Sequence, residues 1–337
     1  IRQSNLCAEI DLPTKPLNDF NDEQGEIALC TLSAINWGKI KSPEEFAKPC
    51  ELAVRGLDAL LTYQDYPVKA AKTATEGRRP LGVGIFNLAY WMAKNGMTYT
   101  QPDLEMIDTY AEAWSYYLIK ASADLAEEQG ACLWSNETKY SKGLTPNQTY
   151  KQDVDELVPH KERMPWRELR DQLKANGIRN STLMALMPAE TSAQISNATN
   201  GIEPPRSLVS VKQSKHGVLK QVVPSIHKLK NKYELLWDQR SPEGYLQIMA
   251  VLQKYIDQGI SVNTSYNPVF YEDEKISMSE MLRHLMIFYK YGGKQLYYFN
   301  TYDGQGELDV DKLAESSNIT VPEQDIIEEE DCESCVI

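Results

Sequence analysis

Asn5, Cys7 and Glu9 set an amide, a thiol and a carboxylate at alternate positions of one short apolar run. In an extended segment, side chains at i, i+2 and i+4 face the same way, so the three would converge. Such a face is either the solvent side of an edge strand or a buried one. If buried, the amide and carboxylate need partners, because an unpaired buried polar group is costly. Cys30 lies on the next apolar run, as a small buried hydrophobe or as a neighbour of Cys7. A disulfide between them is conceivable if the two runs lie side by side. Cys332 and Cys335, in an acidic tail, could be half of a zinc site, but no second ligand pair stands near them. A thiol pair on a flexible arm suits thiol–disulfide exchange better. Pro188, Ala189, Glu190, Thr191 and Ser192 lead into an expected helix from Ala193. Backbone N–H groups and two hydroxyls there make a diphosphate site or an ordinary helix cap. Tyr297 and Tyr298 adjoin on an expected strand, where aromatic residues commonly pack. Cys50 and Cys132 are expected on helices as buried packing residues. His160, His216, His227 and His284 show no ligand spacing.

Behind these residues, periodicity places the elements. Residues 5–12 and 26–32 read as strands separated by a turn rich in Pro, Asn and Asp. Residues 43–63 have helical spacing, with Leu52, Leu57, Leu60 and Leu61 on one side. Further helices are expected over 80–94, 104–129 (stopped by Gly130) and 166–175 (stopped by Gly177). Short strands follow at 181–187, 208–212, 260–263 and 295–300, with helices at 223–237, 245–257 and 277–291. Strands alternating with helices imply an α/β fold with a mainly parallel sheet or barrel. The pattern dissolves after Tyr302. A folded part over 1–302 and a flexible acidic tail over 303–337 are therefore expected.

Of the net charge of −13, the tail from Asp303 onward holds twelve acids against one lysine, Lys312, so the rest of the chain is nearly neutral. That balance argues against a general nucleic-acid binder, which would need a basic face. The longest apolar stretches, such as 81–93, are interrupted by Gly and Asn and are too short to span a bilayer. The chain opens on Ile1 without a charged segment leading into an apolar one, so no export signal is expected. Six scattered cysteines do not form a dense disulfide framework. The expectation is a cytoplasmic chain with no membrane partner, in which the sequons at Asn136, Asn147, Asn180, Asn263 and Asn318 are chance matches.

The motifs Ser4-Asn5-Leu6-Cys7-Ala8-Glu9, Leu12-Pro13-Thr14 and Gly25-Glu26-Ile27-Ala28-Leu29-Cys30-Thr31-Leu32 resemble the active-site region of class I ribonucleotide reductase large subunits. The likeness runs on in family order. It passes through Gly177-Ile178-Arg179-Asn180-Ser181, Met187-Pro188-Ala189-Glu190-Thr191-Ser192, Ser196-Asn197-Ala198-Thr199-Asn200-Gly201-Ile202-Glu203-Pro204-Pro205, Tyr297-Tyr298 and the terminal cysteines.

That resemblance implies the C-terminal part of a ten-stranded α/β barrel, with a central finger loop carrying Cys7. Cys7 becomes the transient thiyl radical that abstracts the ribose 3′-hydrogen. Glu9 takes the 3′-hydroxyl proton, a role suited to an ionised carboxylate within hydrogen-bond reach, and Asn5 holds the substrate hydroxyl. Cys30 is one of two thiols that end as a disulfide. The resemblance makes residues 188–192 the substrate-phosphate loop, with Ala189 where some relatives have Ser. It also makes Tyr298 and Tyr297 a radical relay to Cys7, and Cys332 and Cys335 the pair that reduces the active-site disulfide before thioredoxin or glutaredoxin reduces it in turn. Stacking adjacent tyrosines would need a bend or bulge. The second reducing cysteine and the nucleotide-effector regions are not matched. The resemblance thus implies an N-terminal partner polypeptide, nucleoside diphosphate substrates, and a small subunit carrying a metal-dependent radical cofactor. No metal or cofactor is expected on this chain. A split enzyme and a large subunit merely cut for study both fit, as does a non-catalytic assembly or regulatory module with vestigial motifs. Retention of Cys7, Glu9, Cys30, Tyr297, Tyr298, Cys332 and Cys335 favours catalysis. Open sheet edges would make the chain poorly soluble alone or firmly associated with its other half.

Overall fold

The computed structural model describes residues 4–214 and 217–304. The chain divides into two units, Ile1–Asp303 and Gly304–Ile337. Cys332 and Cys335, His216 and Asn318 lie outside the described residues.

Among the described residues the strands are β1 (Leu32–Asn36), β2 (Gly82–Phe86), β3 (Val209–Ser214), β4 (Gly217–Val222), β5 (Thr264–Tyr266) and β6 (Phe299–Thr301). A parallel run forms the backbone of the fold. β1 pairs β2 in register from Leu32 with Gly82 to Asn36 with Phe86. On its other side, β2 meets residues 182–186 through the parallel bridge Val83–Met184 and the bond from Leu81 N–H to Thr182 O (3.0 Å). Leu186 then bridges Ile260 in parallel, and β5 pairs β6. Helices fill each crossover, as parallel neighbours require. The run does not close on itself among the described residues, and the only other sheet there is the antiparallel β3–β4 hairpin.

Several elements depart from the periodicity. Residues 80–94 are not one helix: β2 comes first, and the helix Leu88–Lys94 follows Asn87, which sits at φ +66°. Gly84 explains the strand. A Cβ there would lie 2.7 Å from Met187 Sδ and 2.9 Å from Ala185 O, so this glycine lets two backbones approach. A helix over Lys69–Arg78 was not expected. Of 223–237 only Ile226–Leu229 is α-helical, because Lys228, Lys230 and Lys232 leave no continuous apolar stripe. The helix Ala47–Tyr63 buries Cys50, Val54, Leu57, Asp58 and Leu61, whereas Leu52 and Leu60 face out. Residues 26–32 form only a single antiparallel bridge, Glu26 to Lys15, before β1 begins. The strands expected at 260–263 and 295–300 are shifted to Thr264–Tyr266 and Phe299–Thr301. Cys132 is buried as expected, but in the loop after the helix Leu104–Gln129 rather than on it.

The helix Leu104–Gln129 is the central spoke. Asp103 caps it, accepting from Met106 N–H at 3.0 Å. One flank presents Tyr110 and Trp114 to Trp37, Trp91 and Phe46, and the rings meet at 4.8–6.5 Å. The other carries Asp108 and Glu112, both fully buried and paired with Arg163 at 2.8 and 3.1 Å. No described helix is long and apolar enough to cross a membrane.

The strand segment 182–186 is pinned from below. Asp257 accepts from Tyr140 Oη (2.7 Å) and from the N–H groups of Leu183 (2.8 Å) and Met184 (2.9 Å). Burial holds its carboxyl above the usual carboxylate range, against the pull of these donors and Lys294. Asp257→Ala would orphan two backbone donors and a hydroxyl. A loss of about 3 kcal/mol in unfolding free energy by urea titration is expected, at roughly 1–3 kcal/mol per buried unsatisfied group with partial relaxation. A change below the error of the titration would show that this pin carries no stability.

Candidate active site

Asn5 and Glu9 meet through a turn rather than a strand, with Cys7 between them in that turn. Asn5 Oδ1 accepts from the N–H groups of Glu9 (3.0 Å) and Ile10 (2.9 Å), while Asn5 O accepts from Ala8 N–H (3.1 Å). A side chain that captures local backbone donors in this way competes with strand pairing. Ala8 completes the turn at φ +62°. Asn5 Nδ2 then donates to Glu9 Oε1 at 2.8 Å.

Neighbouring segments hold the turn in place. Gly259 N–H donates to Glu9 O (2.8 Å), and the Gln295 amide donates to Ala8 O. The Ser261 hydroxyl lies within hydrogen-bond distance of Cys7 O (2.5 Å) and Glu9 Oε2 (3.1 Å). Glu9 is 1 % exposed, so both its oxygens find their partners inside the protein. Ser261 was not singled out from the sequence. The available signal is that Ser261 and Asn263 share a parity in an apolar run.

Cys7 and Cys30 are both free thiols, Cys7 half-buried and Cys30 exposed. Cys30 borders a cavity of about 250 Å³ whose lining includes Asn5, Ile10 and Glu26. Crowding around its sulfur, then the Glu9 charge, raise the Cys30 thiol above the usual range, while the Asn5 amide pulls it down. Alkylation of Cys30 by iodoacetamide should therefore follow a midpoint pH above that of a free thiol. Glu9→Gln should bring that midpoint down, and an unmoved midpoint would show that the two groups do not communicate.

Tyr297 Oη donates to Cys7 Sγ at 3.7 Å. The rings of Tyr297 and Tyr298 stack with centroids 3.9 Å apart and planes at 29°. Hydrogen bonding to Tyr298 and then to Cys7 raises the Tyr297 phenol above its usual range. A β-bulge makes the stack possible. Tyr302 N–H donates to Tyr266 O, but Tyr297 N–H, not Tyr298 N–H, donates to Val262 O (2.7 Å). The β6 side thus spends five residue steps against four on its neighbour, and the extra residue brings adjacent side chains to one side.

Residues 188–192 sit at the carboxyl end of the 182–186 segment, where parallel α/β folds place ligands. The helix starts at Glu190 and runs to Ile195, three residues earlier than expected. Ala189 is buried, while Pro188, Glu190, Thr191 and Ser192 face out. Ala189 N–H donates to Asn200 Oδ1 (3.1 Å). Asn87, also missed from sequence, clamps the far side of the loop: its Oδ1 accepts from Thr199 N–H (2.9 Å), and its N–H donates to Thr199 O (3.0 Å). Among the described residues, no cluster of three or more His, Cys, Asp or Glu could hold a metal ion.

Residues 1–299 match the family described as the ribonucleotide reductase barrel domain. The ribonucleoside-diphosphate reductase subunit alpha of Haemophilus influenzae is 55 % identical over 312 residues, covering 92 % of this chain and 41 % of that protein. The ribonucleoside-diphosphate reductase 1 subunit alpha of Salmonella typhimurium is 54 % identical over 335 residues, covering 99 % and 43 %. The subunit alpha of Enterobacteria phage T4 is 42 % identical over 342 residues, covering 99 % and 43 %. The chain thus spans about two fifths of the length of these curated relatives. With its parallel α/β run and with the match extending over nearly all the described residues, the chain belongs to the ribonucleotide reductase barrel-domain family.

Proposed function

We propose that this chain is the C-terminal, catalytic portion of a class I ribonucleoside-diphosphate reductase large subunit. It makes 2′-deoxyribonucleoside diphosphates by thiyl-radical chemistry. The observation that carries the reading is the stacked pair Tyr298–Tyr297, whose Tyr297 oxygen lies 3.7 Å from the Cys7 sulfur in the turn that also holds the Asn5–Glu9 pair. In this reading the Cys7 turn is the finger loop of a ten-stranded barrel. A complementary N-terminal polypeptide supplies the remaining strands, the nucleotide-effector sites and the second reducing cysteine. The metal-dependent radical cofactor of a small subunit supplies the oxidising equivalent.

The chain's own residues then act in sequence. Tyr298 and Tyr297 relay the oxidation to Cys7. The Cys7 thiyl takes the ribose 3′-hydrogen atom and becomes a thiol, while Glu9 takes the 3′-hydroxyl proton and Asn5 holds the oxygen. The 2′-hydroxyl leaves as water. Cys30 and its partner thiol give two electrons and two protons and become a disulfide. Cys7 returns its hydrogen atom to C3′, and Glu9 returns the proton. Residues 188–192 hold the diphosphate through N–H groups and the hydroxyls of Thr191 and Ser192. Cys332 and Cys335 reduce the disulfide and pass it to thioredoxin or glutaredoxin.

The test is reconstitution. The chain is captured from its source, its partners are identified by mass spectrometry, and the eluate is assayed for CDP reduction. Deoxynucleotide formed in company with an N-terminal homologous polypeptide and a small subunit supports the reading. An eluate with neither partner nor product would leave a binding or regulatory module.

A further inference from the structure

The bulge at Tyr297 and Tyr298 raises a physical question: what takes the backbone donor that the extra residue displaces? With Tyr297 N–H already on Val262 O, Tyr298 N–H has no carbonyl left in the ladder. It donates instead to a side chain, Asn263 Oδ1, at 2.9 Å. The ladder resumes one step later, where Thr264 N–H donates to Tyr298 O (2.9 Å). Asn263 is therefore the group that satisfies the bulge. Its other amide atom is spoken for as well, because Nδ2 donates to Glu203 Oε1 at 2.5 Å. That bond fixes which way the amide faces, so that its oxygen, not its nitrogen, meets Tyr298 N–H. Glu203 stands in the Gly201-Ile202-Glu203-Pro204-Pro205 stretch, whose residues have no part in the reaction sequence above.

We propose that Asn263 is a positioning residue for the stacked tyrosines, and that Glu203 acts through it by orienting its amide. The functional half of this inference rests on the proposed relay. The geometric half does not. Aspartate at 263 would keep the acceptor for Tyr298 but set a second carboxylate against Glu203. Glutamine at 203 alone keeps an oxygen to accept from Asn263. Both changes together reverse the polarity of the pair and restore it: a glutamine N–H donates to an aspartate that still accepts from Tyr298.

The test uses the assembled enzyme, with intact large and small subunits. Asn263→Ala is expected to speed hydrogen exchange at the Tyr298 amide about tenfold, the worth of one net hydrogen bond. It should also lower kcat about a hundredfold with KM unchanged, the cost of a misplacement of about 1 Å. Asn263→Asp alone should fall comparably, Glu203→Gln should stay within about threefold of the parent, and the double variant Asn263→Asp/Glu203→Gln should recover most of the lost kcat. A merely structural role would not lower kcat alone with KM unchanged. An unchanged Tyr298 exchange rate in Asn263→Ala, or a double variant no better than Asn263→Asp, would overturn the positioning role. Faster exchange and an unstacked pair with kcat intact would uphold the positioning role and overturn the relay.

Discussion

Cys7→Ser should reduce deoxynucleotide formation by the reconstituted enzyme at least about a thousandfold, a barrier increase of roughly 4 kcal/mol or more. The substitution exchanges one atom and leaves the turn alone. What holds that turn is the Asn5 side chain, the Cys7 and Ala8 carbonyls and the Glu9 backbone, none of which involves the sulfur. Stability is thus expected to stay within about 0.5 kcal/mol of the parent. What disappears is a sulfur that can exist as a radical, 3.7 Å from the Tyr297 oxygen. A hydroxyl in its place holds its hydrogen too firmly for a tyrosyl radical to remove. The measurement is CDP turnover beside a thermal unfolding curve. Turnover above about one per cent of the parent would show that Cys7 is not the hydrogen-abstracting group. Cys50→Ser is the matched control: its sulfur is buried and points to Trp114 O at 3.8 Å, away from this chemistry.

Tyr297→Phe is expected to be nearly as severe, on the order of a thousandfold in turnover, for a different reason. The ring stays, and with it the 3.9 Å stack on Tyr298. The lost oxygen is the one that donates to Cys7 Sγ. Without an ionisable, oxidisable hydroxyl the ring cannot accept the electron hole and release the proton together. Affinity for CDP, measured by equilibrium dialysis, should not change, so the loss should lie in kcat alone. A variant that turns over normally would leave the stack as packing. A variant weakened only in CDP affinity would make Tyr297 a substrate contact.

Part of the geometry around these residues is legible in the sequence, though not always for the right reason. Alternation placed Asn5, Cys7 and Glu9 together by assuming a strand. Asn5 and Glu9 meet because the Asn5 side chain captures two backbone donors and folds the segment into a turn. Short-range side-chain capture of this kind leaves no periodic trace. Adjacency of Tyr297 and Tyr298 implied a bulge if they stack, and the slip from Tyr298 to Tyr297 as the donor to Val262 is that bulge. Its partner Asn263 went unnoticed, although Ser261 and Asn263 stand out as same-parity polar residues in an apolar run. β2 was hidden for a physical reason: Gly82, Val83, Gly84, Ile85 and Phe86 are wholly buried, so polar alternation is absent and only close backbone approach marks the strand. The ion network of Asp108, Glu112, Arg163 and Lys254 was equally invisible, because its members come from three separated stretches of chain.

The aromatic cluster around the helix Leu104–Gln129 gives the protein a built-in optical gauge. Trp37, Trp91 and Trp114 are sealed from solvent, so their fluorescence should be blue-shifted and resistant to aqueous quenchers while the core is intact. None of the three lies among the residues that hold the Cys7 turn or the tyrosine pair. An inactive variant whose tryptophan emission keeps the parent's wavelength has lost its chemistry, whereas one whose emission moves to the red of the parent's has lost its fold.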